Sequence, residues 1–182
     1  MTGTILILML SVTTWAAQPG TLSLSGNGCA TGADSKSLKV LDAAKGRYKI
    51  PLHLQLNKTE GNQLERKTCN FSLPIKLSKN EKIKVVELVQ SVKINANKGT
   101  QSQLSLSVFA AGAAAKKPLI IERKGSNDSQ IDEEFTSAEV FESKCGKDLI
   151  LRGNLSAFAR GDSKASASSG DLLFTIQSIS CP

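Results

Sequence analysis

Apolar residues recur at every second position along most of this chain. In RYKIPLHLQL, Ile50, Leu52, Leu54 and Leu56 share one face. In KTCNFSLPIKL, Cys69, Phe71, Leu73, Ile75 and Leu77 do the same. Leu104, Leu106 and Val108 alternate with serines, and Leu149, Leu151 and Leu155 continue the pattern. A period of two marks strands with one face in a core and one in water. Further strands are expected near 21–25, 36–41, 118–123, 135–142 and 172–181.

In KIKVVELVQSVKI the phase slips. Ile83 and Val85 lie on one face, then Val86, Leu88, Val92 and Ile94 on the other, which a β-bulge at Val85–Val86 explains. Turn residues separate the runs. Asp42–Gly46 (DAAKG) and Asn95–Gly99 (NANKG) read as hairpin loops. Pro51 and Pro74 belong on edges or bulges, because proline cannot donate to a ladder. No long segment has a helical period; FAAGAAAKK near 109–117 could form one turn. The small, polar stretch Gly161–Gly170 reads as a flexible loop. The expected fold is all-β: a single antiparallel β-sandwich of about nine short strands.

The amino end departs from this pattern. Residues 5–12 form an apolar run, followed by small residues at Ala16 and Ala17. That is the build of a secretory signal peptide, although MTGT carries no Lys or Arg. The alternative is a buried N-terminal strand. Residues 1–17 are therefore expected to be a signal peptide and residues 18–182 a single β-sandwich domain. Removing about 17 residues leaves roughly 165, a usual size for one domain with a real core. No other stretch approaches about 18 apolar residues, so no transmembrane segment is expected in the mature chain. The protein is expected to be secreted, or periplasmic in a bacterium. A lipid anchor is not expected, because the first cysteine lies well past the apolar core.

Behind an export signal, the even set Cys29, Cys69, Cys145 and Cys181 reads as disulfides. Zinc usually wants ligands about two to four residues apart, and none of these is. Three pairings are possible. Cys29–Cys69 with Cys145–Cys181 is favoured, since each closes a moderate loop and ties one half of the chain. Each would contribute about 4 kcal/mol by the loop-entropy model.

The net charge of +7 falls wholly in the mature domain, because no charge precedes Asp34. Most of the cations are lysines, and only five of the 23 are arginines, the residue suited to planar anion contacts. A solvated basic surface is the plain account. Attraction to an anionic polysaccharide or a cell-envelope component is the sharper one. Nucleic acid is not expected, because stacking aromatics are scarce.

The cysteine contexts add to this. They read SGNGC at Ser25–Cys29, RKTC at Arg66–Cys69, SKCG at Ser143–Gly146, and a last strand ending in Cys181. In that order they resemble a family of secreted fungal and bacterial proteins known only as a domain of unknown function. Its pattern is G-x-G-C, R-K-x-C, C-G and a C-terminal strand cysteine. The resemblance covers residues 21 to 181 and implies an exported, cysteine-stapled β domain. It implies no activity.

Candidate chemistry is thin. His53 is the only histidine, on the face opposite Leu52 and Leu54, with no G-x-S-x-G elbow to make it a hydrolase base. An exposed strand histidine is the simpler reading. Asp132, Glu133, Glu134, Glu139 and Glu142 could supply paired carboxylates for glycoside hydrolysis. Adjacent acids point different ways and usually form a solvated loop. The stretch Asn127–Glu134 could ligate calcium, but it lacks EF-hand spacing. Arg160-Gly161-Asp162 is an RGD tripeptide, a match frequent by chance. Glycosylation sequons begin at Asn57, Asn70, Asn127 and Asn154. No catalytic residue, cofactor or metal is assigned. A non-enzymatic, surface-binding protein is the expectation. An extracellular carboxylate hydrolase, and an inhibitor or effector of another protein, are the alternatives.

Overall fold

The computed structural model describes residues 17–29, 37–111, 117–125, 130–138 and 140–182. The expected signal peptide (but for Ala17), the possible helical turn beyond Ala111, Glu139 and Asn127 lie outside the described residues.

Among the described residues there are thirteen strands: β1 (Gln18–Pro19), β2 (Ser23–Ser25), β3 (Lys39–Asp42), β4 (Arg47–Ile50), β5 (Gln55–Lys58), β6 (Leu64–Lys76), β7 (Glu81–Ala96), β8 (Thr100–Ala110), β9 (Leu119–Lys124), β10 (Gln130–Ser137), β11 (Phe141–Glu142), β12 (Leu149–Gly161) and β13 (Ala165–Ser180). One sheet runs β1-β6-β12-β8-β9, with β2 also on β6. The other runs β10-β7-β13-β4-β3, with β11 also on β7 and β5 on β13. The pairs along both sheets are antiparallel. The two sheets pack face to face over one core, a β-sandwich as the alternation implies.

That core holds the apolar residues of the period-two runs. Cys69, Phe71, Leu73, Ile75, Leu104, Leu106, Leu151 and Leu155 come from the six-stranded sheet. Ile50, Leu56, Ile83, Val85, Leu88, Ile94, Leu172 and Phe174 come from the seven-stranded one. Both disulfides join the favoured partners, Cys29 to Cys69 with Cα atoms 4.7 Å apart and Cys145 to Cys181 at 6.1 Å. The first ties the N-terminal segment to β6, and the second ties the β11–β12 connection to the end of β13.

The bulge is where the phase slip places it. Thr175 pairs with Glu87 and the next residue, Ile176, with Val85, so Val86 is skipped. This keeps Val85 and Leu88 both in the core.

Several expectations need correction. Among the described residues the strands number thirteen rather than about nine, and five are long, because short pieces share the flanks of long ones. The run 47–56 is one example. It breaks at Pro51, so β4 and β5 pair separately with β13, yet Ile50, Leu52, Leu54 and Leu56 all stay buried. Buried Gln90 fills the break: its amide nitrogen donates to Leu52 O at 3.1 Å and Gly170 O at 3.0 Å. Gly161–Gly170 is not a loop; from Ala165 onward it is strand, with Ala165 and Ala167 in the core. Asn97–Gly99 makes a turn but no hairpin, because β7 and β8 belong to different sheets. Asp42–Gly46 does form the expected hairpin, and Gly46 takes the left-handed φ of 62° its turn needs.

Candidate functional site

The alternation that buries one face of β6, β8 and β12 fixes the opposite face. Cys69, Phe71 and Leu73 point inward on β6, so Arg66, Thr68, Asn70 and Ser72 point outward. On β12 the outward set is Arg152, Asn154, Ser156, Phe158 and Arg160. On β8 it is Gln101, Gln103, Ser105, Ser107 and Phe109.

The register arranges these in cross-strand rows. Ser72, Arg152 and Phe109 form one, and Asn70, Asn154 and Ser107 the next. Thr68, Ser156, Ser105 and Ile120 follow. Then come Arg66, Phe158, Gln103 and Glu122, and last Leu64, Arg160, Gln101 and Lys124. The Ser105 and Ser156 hydroxyls are hydrogen-bonded at 2.7 Å, and Arg160 Nε donates to Gln101 Oε1 at 2.6 Å.

These rows concentrate chemistry scarce elsewhere. Three of the five arginines lie here, with two half-buried phenylalanine rings and many amides and hydroxyls. Glu122 is the one acid in the rows, 3.8 Å from Lys124.

On the outer face of the seven-stranded sheet several charges meet opposite partners. Lys82 Nζ lies 2.6 Å from Glu142, Lys93 3.8 Å from Asp132, and Lys49 2.6 Å from Asp171. Asp171 also meets His53 Nε2 at 2.6 Å. Burial pushes the Asp171 carboxyl up, but the hydrogen bonds and charges of Lys49 and His53 more than offset this and hold it below the ordinary carboxylate range. Tyr48 is stacked on Phe174 with centroids 5.5 Å apart, and burial pushes its phenol up. On the rows of the six-stranded sheet, by contrast, Arg66, Arg152, Arg160 and Lys124 stand against Glu122 alone.

The other candidates are placed as follows. His53 is 49% exposed but sits in the break between β4 and β5 rather than in a strand. Asp132, Glu133 and Glu134 are strand residues of β10, not a solvated loop, because they pair along β7 opposite Lys93, Val92 and Ser91. Glu142 is held by Lys82. None of these acids lines the larger cavities among the described residues. Among the described residues no group of three His, Cys, Asp or Glu side chains could hold a metal ion. Arg160, Gly161 and Asp162 line a cavity at the end of the arginine face. Sequon residues Asn70 and Asn154 lie directly opposite each other on that face.

Sequence reasoning did not find the arginine face. The signal was there in part: Arg66, Arg152 and Arg160 all lie in the outward phase of their strands. What was missing was the adjacency of β6, β12 and β8.

Fold and staples together define an antiparallel β-sandwich held by two disulfides. The chain belongs to the family described as Domain of unknown function (DUF4360), whose model matches residues 20–178. No curated protein matches it. Among solved structures it is similar to that of the Gx strain of infectious bursal disease virus, with 12% identity and a TM-score of 0.39, covering 81% of this chain and 36% of the viral one. The chain thus spans about a third of the viral chain's length. It is also similar to a family 16 carbohydrate-binding module, with 13% identity, a TM-score of 0.23 and coverage of 73% of this chain and 75% of the module. A third likeness is to the family 11 carbohydrate-binding module from Clostridium thermocellum, in complex with a β-1,3-1,4-mixed-linked tetrasaccharide. That match has 10% identity, a TM-score of 0.23, and coverage of 93% of this chain and 92% of the module. At these scores the likenesses carry no functional argument.

Proposed function

We propose that this protein is an exported, non-enzymatic binding module whose outer six-stranded face holds an anionic polysaccharide of a cell wall or envelope. The observation that supports it is the row pattern: Arg66, Arg152 and Arg160 set among Phe109, Phe158 and side-chain amides, with Glu122 the one acid in the rows.

The physics of each part fits a charged sugar chain. Arginine offers a rigid fork to a carboxylate or sulfate. Amides and hydroxyls exchange hydrogen bonds with sugar hydroxyls, and half-buried rings give flat apolar ground for sugar faces. Arg152 and Arg160 are eight residues apart on one strand, a run of about 26 Å, so the face suits an extended polymer rather than a small molecule. A pre-formed sheet face also loses little freedom on binding. The two disulfides, with the leader expected at residues 1–17, suit a protein working outside the cell.

The test is retention on immobilised polygalacturonate and heparin, with elution by salt. The protein is expected to be held at low salt and released as salt screens the arginines. An Arg66→Gln, Arg152→Gln double variant is expected to elute at lower salt. Passage of the wild type through both columns at low salt would count against the reading.

A further inference from the structure

At one end of the arginine face the sheet stops and a cavity of about 550 Å³ begins. It is continuous with the face, since Gln101, Lys124 and Arg160 form the last cross-strand row and also line the cavity. Gln63 and Asp162 line it too. The turns that bound it are glycine-rich. Gly161 has a φ of 118°, and a Cβ there would lie 2.3 Å from Gly99 O; one on Gly125 would lie 2.0 Å from Asn97 O. The backbone is therefore packed tightly around a space that side chains leave open.

The charge of the lining says what such a cavity would take. Arg160 and Lys124 are positive and Asp162 is negative, so the lining has one net positive charge, matched by a single carboxylate. A doubly charged phosphate would be under-neutralised and would meet Asp162 as well. Asp162 instead accepts from a hydroxyl, and Gln63 can do either.

From this geometry we infer that the cavity is the subsite for one uronate residue, a sugar bearing a carboxylate beside its hydroxyls, with Lys124 and Arg160 on the carboxylate and Asp162 and Gln63 on the hydroxyls. The inference rests on the polysaccharide reading of the face and adds the carboxylate-bearing class of sugar. It also absorbs the Arg160-Gly161-Asp162 tripeptide as a lining segment rather than a recognition tag.

Calorimetric titration with trigalacturonate tests it, beside the same trisaccharide as its methyl ester. The acid is expected to bind and the ester to bind about tenfold more weakly, the loss of a charge-assisted hydrogen bond. Lys124→Gln, at an exposed position, is expected to weaken the acid by a similar factor and leave the ester unchanged. Arg152→Gln, remote from the cavity, is expected to lower retention on long polygalacturonate while trisaccharide binding stays. Equal binding of acid and ester, or no effect of Lys124→Gln, overturns the uronate subsite. Retention of the long polymer with no trisaccharide binding also overturns it and leaves the face reading standing. Trisaccharide binding without polymer retention supports the subsite and removes the face.

Discussion

Phe158 of β12 stands directly opposite Arg66 of β6 on the outer face of the six-stranded sheet. Opposed residues in an antiparallel pair have Cβ atoms about 5 Å apart, so ring and guanidinium can act on one ligand together. Phe158→Ala and Arg66→Gln are each expected to weaken polygalacturonate binding. In a double-mutant cycle the two losses should fall short of additive by about 0.5–1 kcal/mol, as for residues sharing a contact. Strict additivity in the measured affinities would mean the two side chains act on separate parts of the ligand.

The opposition of Asn70 and Asn154 gives a second prediction. Both begin sequons, and both lie in the middle rows of the arginine face. Two glycans rooted about 5 Å apart would collide, so material from a glycosylating host should carry one glycan across the pair. That glycan would cover the face. Intact-mass analysis should find single occupancy, and the glycoform should lose column retention that Asn70→Gln, Asn154→Gln protein keeps.

Acid stability should depend on Asp171. Its carboxyl is held below the ordinary range in the fold, so its ionised form stabilises the native state. That contribution is present above the unfolded value of about 3.9 and is lost as pH falls through the lower folded value. Asp171→Asn should therefore lower the melting temperature at neutral pH, with the difference from wild type closing below about pH 4. A difference that stayed constant down to pH 2 would assign the effect to packing.

The two disulfides should differ in what their loss does locally. Cys69 is fully buried in the core and anchors the G-N-G-C segment onto β6. Cys29→Ser with Cys69→Ser should cost about 2–5 kcal/mol in urea unfolding. Cys145→Ser with Cys181→Ser frees the end of β13 and should fray that terminus first, seen as faster amide exchange in residues near Ser180.

Much of this fold was readable from the chain because Leu, Ile and Val carry the period of two. The bulge at Val86 was readable for the same reason: a slip in phase among strong apolar residues has one cheap explanation. Ala165–Ser169 was not, because alanine and serine alternate without an apolar signal, and only flanking β5 and β7 make that stretch a buried strand. The turn at Asn97–Gly99 uses the same residues whether the chain folds back or crosses to the other sheet. The arginine face needed the order β6-β12-β8, which joins segments far apart in sequence and depends on pairing that local pattern does not encode.

The most direct test is backbone amide NMR during titration with an oligogalacturonate. Shifts are expected in β6, β8 and β12, centred on Arg66, Phe158 and Gln103 and reaching Arg160, with the seven-stranded sheet silent. Shifts clustered instead around His53 and Asp171, or along β10, would place binding on the other face and contradict the proposed function.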